Sequence, residues 1–337
     1  MLCRGCSLIF NKQLRPFALF LRQMSETPAK KGGKDPAAYF FRDKVQHLMR
    51  HLSRVDLEKV FRVRKEGQQI DTPEYKFMTT EELEKEMAEV QQKVDKKLQM
   101  PPFINEREDI DCVLSEEPKL KGYDSSKYVF TDITYGVTDR DRLIVVRDTD
   151  GTLRKANWEE RHRMNQLYFE RPGRKYYKPR MFKEEYLKDL LQRREYEFIL
   201  DQACTQFDPD DPDFIHVRAM TYDHINKTND YQLLRSSRHF GPLAFYLAWN
   251  NCIDNLLIDI LNGDRLDEAV SLIELYQILN PNLKSVKTKK SDGDIEFVKA
   301  YAELDSPKRN DVELALQNYA QRQFHSIDLE AEESQGH

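Results

Sequence analysis

Glycine is scarce: there are twelve in 337 residues. None of them falls in a G-x-G-x-x-G, a G-x-x-x-x-G-K-[ST] or a G-x-S-x-G pattern. The phosphate-cradling loops of dinucleotide and P-loop proteins, and the nucleophile elbow of serine hydrolases, have no sequence basis here. Cysteine is also sparse. Cys3 and Cys6 form a C-x-x-C near the N-terminus, while Cys112, Cys204 and Cys252 are far apart. Neither a disulfide framework nor a self-contained zinc site follows, and buried, reduced thiols are expected. No apolar run approaches the length needed to cross a bilayer, so no membrane insertion is expected.

Acidic residues are missing from residues 1–25, which carry Arg4, Lys12, Arg15 and Arg22 among Leu8, Ile9, Phe10, Leu14, Phe17, Leu19, Phe20 and Leu21. That composition predicts a mitochondrial import presequence and a location in the matrix. A secretory signal would have one unbroken apolar core, and here Asn11, Lys12, Gln13 and Arg15 interrupt it.

The rest of the chain combines a third charged residues with 39% hydrophobic ones, a composition for a folded protein with a very polar surface. A linker over 26–37 precedes an N-terminal helical region over 38–125. In that region Phe41, Val45, Leu48, Met49 and Leu52 have helical spacing across a run from Ala38 to Arg64. Thr79 and Glu82 have the spacing of a capping box for a charged helix ending near Leu98. Between Lys127 and Ala156 the period shortens to that of strands (YVFTDITY, RLIVVR, TLRKA), predicting a small antiparallel sheet with Asp150 and Gly151 at its last turn.

From Asn157, which forms a second capping-box pattern with Glu160, the pattern is helical: 157–169, 183–206, 213–227, 239–262, 264–280, 295–304 and 308–325. The expected fold is mainly α, with a helical array in the C-terminal half (183–327), a small antiparallel β-hairpin sheet in the middle (126–182, with a helix and a basic loop) and an acidic tail over 328–337. The apolar run from Phe240 to Leu261 is its expected central helix.

Two patterns invite chemistry. LIVVRDTDGTL at 143–153 resembles the first motif of the haloacid dehalogenase phosphatases, in which Asp148 would match the nucleophile and Asp150 the general acid and base. Gly263, Asp264 and Asp267 are an imperfect late acidic match. That family needs a parallel sheet of buried strands, and 157–262 offers helices alone, so a tight hairpin turn is the favoured reading. His47 and His51 are four apart on a helix, but Leu48 stands where a zinc protease needs its general-base Glu. No catalytic residue, metal or cofactor is expected.

The binding signal is stronger. RPGRKYYKPRMFK at 171–183 sets Arg171, Arg174, Lys175, Lys178, Arg180 and Lys183 around Tyr176 and Tyr177 without one acid. Cations of this kind meet phosphates and the aromatics can stack on bases, so these eight residues are the candidate RNA contacts. From Arg140 to Lys183 there are thirteen Lys and Arg against six Asp and Glu, in a chain whose net charge is -5. The acid-rich turn at Asp208, Asp210, Asp211 and Asp213 is expected to face protein or solvent.

The segments YKFMTTEEL, KLQMPP, SKYVFTDITY, RLIVVRDTDGTLRKANWEERHRMNQLYF, LLRSSRHFG, IDNLLIDIL and LYQILNP, in that order, resemble the mitochondria-specific S twenty-two family of small ribosomal subunit proteins. The likeness covers Tyr75 to Gln321. It implies a structural, non-enzymatic place in the small subunit, with other small-subunit proteins and the ribosomal RNA as partners. The alternatives are a Mg-dependent phosphatase and a matrix adaptor outside the ribosome.

Overall fold

The computed structural model describes residues 35–62, 75–110, 112–123, 125–287 and 293–335, with side chains to 323. The expected presequence, most of the expected linker, Cys3, Cys6 and the side chains of the acidic tail lie outside the described residues.

The N-terminal helical run is three helices rather than one: α1 (Ala37–Phe40), α2 (Asp43–Ser53) and α3 (Leu57–Phe61). Arg42 is extended and Arg54 takes a positive φ of 50°, and each break resets the helical phase. Phe40 is therefore the buried residue, and Phe41, expected on the apolar stripe, is 61% exposed. Val45, Leu48, Met49 and Leu52 are buried as their spacing predicts. In α4 (Thr80–Lys97) the Thr79 Oγ1 accepts from Glu82 N–H, and Glu82 Oε2 accepts from Thr79 N–H, which completes the capping box. That helix buries only Val94 and leaves Leu83 and Met87 exposed.

The sheet has four antiparallel strands in the order β1-β4-β3-β2: β1 (Val113–Glu116), β2 (Tyr128–Thr131), β3 (Ile144–Arg147) and β4 (Thr152–Lys155). The last three match the expected strands. β1 is additional; it is exposed along its length and carries no alternating pattern to announce it. Ile144, Val146 and Ala156 form a small core with Met164 of α5 (Trp158–Tyr168), so one face of the sheet is packed on that helix. The Asn157–Glu160 capping box starts α5.

The C-terminal helices are α6 (Glu184–Gln192), α7 (Tyr196–Gln206), α8 (Pro212–Thr228), α9 (Tyr231–Leu234), α10 (Phe240–Trp249), α11 (Asp254–Asn262), α12 (Leu266–Leu279), α13 (Asp294–Leu304) and α14 (Arg309–Gln335). The expected helix over 183–206 breaks at Arg194 (φ 61°). The expected helix over 239–262 breaks at Asn251 (φ 59°), a left-handed position that Asn tolerates.

Helix α10 is the centre of the core, with Phe240 through Ala248 all buried. Phe245 meets Phe40 edge-on at 5.2 Å and stacks on Trp249 at 5.9 Å, which ties α1 to the array. Gly241 permits the closest approach: a Cβ there would lie 2.2 Å from Met100 Sδ and 3.1 Å from Met49 Cβ. The buried Arg218 guanidinium stands 3.9 Å from the Phe103 ring and 5.5 Å from that of Phe214. A buried ion pair, Arg235 Nη1 to Glu268 Oε2 at 2.6 Å, joins α12 to the segment leading into α10.

Candidate nucleic-acid interface

The basic segment 171–183 leads from α5 to α6 and is held from both sides. Gln206, on the last turn of α7, accepts from Lys175 N–H at 2.8 Å and donates to Lys175 O at 2.9 Å. Gln166 of α5 donates to Arg174 O at 3.0 Å. Phe182, in a short 3-10 turn, is buried edge-on against Phe207 at 4.9 Å. The segment is thus a fixed strap rather than a free loop.

Its charge is partly consumed inside the chain. Arg174 is 9% exposed and donates to Asp208 at 2.8 Å. Arg171 pairs with Asp139 at 2.5 Å and with Asp208 at 3.5 Å, and Lys178 pairs with Asp213 at 2.5 Å. The same acidic turn receives Arg107 on Asp211 at 2.7 Å and Arg140 on Asp210. The turn over 208–213 is therefore the internal counterion of the basic region, where an outward protein- or solvent-facing role was expected. Burial alone would raise the Asp208 carboxyl, but the Arg174 hydrogen bond and the charges of Arg174, Arg171 and Arg107 hold it below the ordinary range. At Asp211 burial outweighs Arg107 and raises it.

Of the eight candidate contacts, Lys175, Arg180 and Lys183 are exposed and form no ion pair among the described residues. Tyr177 is 73% exposed and packs edge-on against the half-exposed Tyr176 at 4.8 Å. Both tyrosines line a cleft of about 900 Å³ whose other walls include Arg107, Trp158, His162, Arg163, Arg171 and Asp208.

Two buried arginines, which sequence reasoning missed, shape the neighbouring loop. Arg142 donates to the carbonyls of Asp132, Thr134 and Val137 and lies 3.5 Å from the centre of the Phe169 ring. Arg161 donates to the carbonyls of Asp139, Arg140 and Arg142. Burial holds the Arg161 pKa below its usual value.

The DTDGT motif forms the β3–β4 hairpin turn. Asp150 Oδ1 accepts from Thr152 N–H at 3.0 Å, and Gly151 has a φ of 90°, where a Cβ would lie 2.3 Å from Glu117 O. Asp148, the residue matching the phosphatase nucleophile, is paired with Arg154 at 2.7 Å and Lys127 at 3.0 Å. Burial alone would raise it, yet these hydrogen bonds and charges keep it below the ordinary range. The late acids point elsewhere: Asp264 pairs with Arg322, and Asp267 faces His51 at 3.6 Å. Among the described residues no group of three or more His, Cys, Asp or Glu is placed to hold a metal ion. No described helix is long and apolar enough to cross a membrane. His47 and His51 are both exposed. The three described cysteines form no disulfide. Cys112 and Cys204 are half-buried, with burial pushing the Cys204 thiol up to about 11; Cys252 is exposed, against the expectation of burial, because it lies in the open α10–α11 turn.

A helical array joined to a small sheet, with Arg171, Arg174 and Lys178 of the strap and the acids that pair with them lining one cleft, has the architecture of a scaffold. The comparisons agree with that class. The family model described as mitochondrial 28S ribosomal protein S22 matches residues 38–281. The chain is 38% identical over 303 residues to the small ribosomal subunit protein mS22 of Mus musculus, covering 88% of this chain and 83% of that protein. It is 40% identical over 282 residues to that of Bos taurus, covering 83% and 78%. The chain belongs to the mitochondrial ribosomal protein S22 family.

Proposed function

We propose that the chain is a structural constituent of the mitochondrial small ribosomal subunit, working in the matrix and supporting mitochondrial translation through protein and ribosomal RNA contacts rather than catalysis. The family match over 38–281 carries this reading. The charge distribution supports a division of labour. Lys175, Arg180 and Lys183, next to Tyr176 and Tyr177, meet RNA, while Arg171, Arg174 and Lys178 hold the strap to the acidic turn. The exposed Leu83 and Met87 of α4, on a helix that buries only Val94, support protein contacts as well.

The test is replacement in cells depleted of the chain, reading the amount of assembled small subunit. Wild type and Asp150→Asn should restore it equally, since Asn retains the Oδ1 that accepts from Thr152. Restoration by wild type but not by Asp150→Asn would favour chemistry at the hairpin, and no change in small-subunit amount on depletion would remove the ribosomal reading.

A further inference from the structure

The sheet has a second face. Its register sets Tyr128 opposite Arg147 and Phe130 opposite Val145, with Leu153 opposite Arg147 and Lys155 opposite Val145 on the next strand. Alternation along each strand sends these six side chains to the side away from Ile144 and Val146, which pack on α5. The face is open: Phe130 is 54% exposed, Tyr128 46%, Lys155 is exposed, and Val145, Arg147 and Leu153 are partly so.

Its chemistry differs from that of the chain as a whole. In a protein of net charge -5, these positions hold two aromatics, three other apolar or aliphatic surfaces counting the Arg147 stem, and two cationic heads, with no carboxylate. The ion pairs of the sheet run from Lys127 and Arg154 to Asp148 and Glu160, and neither Arg147 nor Lys155 joins them. Arg147 Nε is buried with no hydrogen-bond partner among the described residues. A flat apolar face exposing two rings on one strand would suit many partners. Two cations that form no ion pair among the described residues stand beside the rings and select an anionic one, and rings on adjacent same-face positions of a strand suit flat bases joined by phosphates.

We propose that this open face is an RNA platform separate from the strap: unpaired bases of a single-stranded or loop segment stack on Tyr128 and Phe130, and Arg147 and Lys155 meet its phosphates. The inference rests on the ribosomal reading above and adds a site, a ligand conformation and the residues that read it.

The test uses the purified full chain and fluorescently labelled single-stranded RNA, with the same sequence as a duplex for comparison, read by anisotropy. The double variant Tyr128→Leu, Phe130→Leu keeps apolar bulk on the strand and removes the rings. It should weaken single-strand binding by about tenfold or more and leave duplex binding within about twofold. Arg147→Gln with Lys155→Gln should weaken single-strand binding and flatten its salt dependence, because the phosphates these two cations neutralise would keep their counterions. This second pair carries the test if the first lowers the melting temperature. Wild-type affinity in the folded variants would overturn the proposal. So would a full loss on changing Lys175, Arg180 and Lys183 to Gln, since the strap would then account for all binding. Displacement of the RNA by polyglutamate at equal charge concentration would assign the face to an acidic protein segment and overturn it too. None of these outcomes touches the replacement test, so the platform can fail while the ribosomal reading stands.

Discussion

Arg174 separates the two roles assigned to the strap. Its guanidinium is 7% exposed and donates through Nη2 to Asp208 Oδ1 at 2.8 Å, with a longer approach of 3.5 Å from Nε to Thr205 O. A charge-assisted hydrogen bond of this geometry contributes about 1.5–3 kcal/mol. Asp208 is 38% exposed and keeps Arg171 at 3.5 Å, so truncating Arg174 does not strand a buried carboxylate, and the loss belongs in the lower part of that range. Arg174→Ala should therefore cost about 2 kcal/mol and lower the melting temperature by roughly 3 °C in thermal denaturation followed by circular dichroism. RNA affinity of the folded variant should change by less than about twofold. Changing Lys175, Arg180 and Lys183 together to Gln should do the reverse. Melting stays where it was, while the slope of log affinity against log salt falls by about two, because each neutralised phosphate of a single strand contributes roughly 0.7 to it. An Arg174→Ala protein with unchanged melting and strongly weakened RNA binding would refute the division.

Three further outcomes follow from the packing. Glu268→Ala leaves Arg235, 7% exposed, without its 2.6 Å partner inside the helical array, and should cost about 3–5 kcal/mol in chemical denaturation, whereas an effect below about 1 kcal/mol would mean that Asp259 takes over the charge. Gly151→Ala places a Cβ 2.3 Å from Glu117 O at a φ of 90°, and should destabilise by about 2 kcal/mol or more; an unchanged melting curve would contradict the turn geometry. Stability should also fall with acid in two stages. Burial, outweighing the nearby Asp201, holds the His239 imidazole below its ordinary pKa, so the unfolded chain takes up a proton that the folded chain refuses, and stability falls as pH drops below about 6.5. Asp201 is held low despite its burial by hydrogen bonds and charges from His239 and Arg238, and its contribution, present above about pH 4, is lost as pH falls towards about 2. His239→Gln should flatten the first stage of a melting-temperature profile; a profile identical to wild type would remove His239 as its source.

What the residues foretold and what they hid follow a physical line. Both capping boxes were legible because each is closed within four consecutive residues, Thr79 to Glu82 and Asn157 to Glu160. The strands of the β2–β3–β4 meander showed their period, since Ile144 and Val146 alternate into a core. β1 did not, because VLSE is exposed on every residue and gains its strand character only from β4, some 40 residues on. Helix breaks at Arg42, Arg194 and Asn251 were invisible to apolar periodicity, which continues across them while the backbone does not. The strap's cations were found by composition, but the pairing of Arg174 with Asp208 spans 34 residues and depends on α7 bringing the two together. The open face of the sheet was in principle legible from alternation, which puts Tyr128 and Phe130 on one side.

The most direct measurement of the central claim is sedimentation of a mitochondrial lysate on a density gradient. This chain would be blotted beside the small-subunit ribosomal RNA, with and without prior dissociation of the ribosome by Mg²⁺ removal. A structural constituent of the small subunit travels with that RNA in both conditions, shifting with it from the intact ribosome to the free subunit. A peak confined to the top of the gradient, away from the RNA, would contradict the account and leave a matrix protein that acts outside the ribosome.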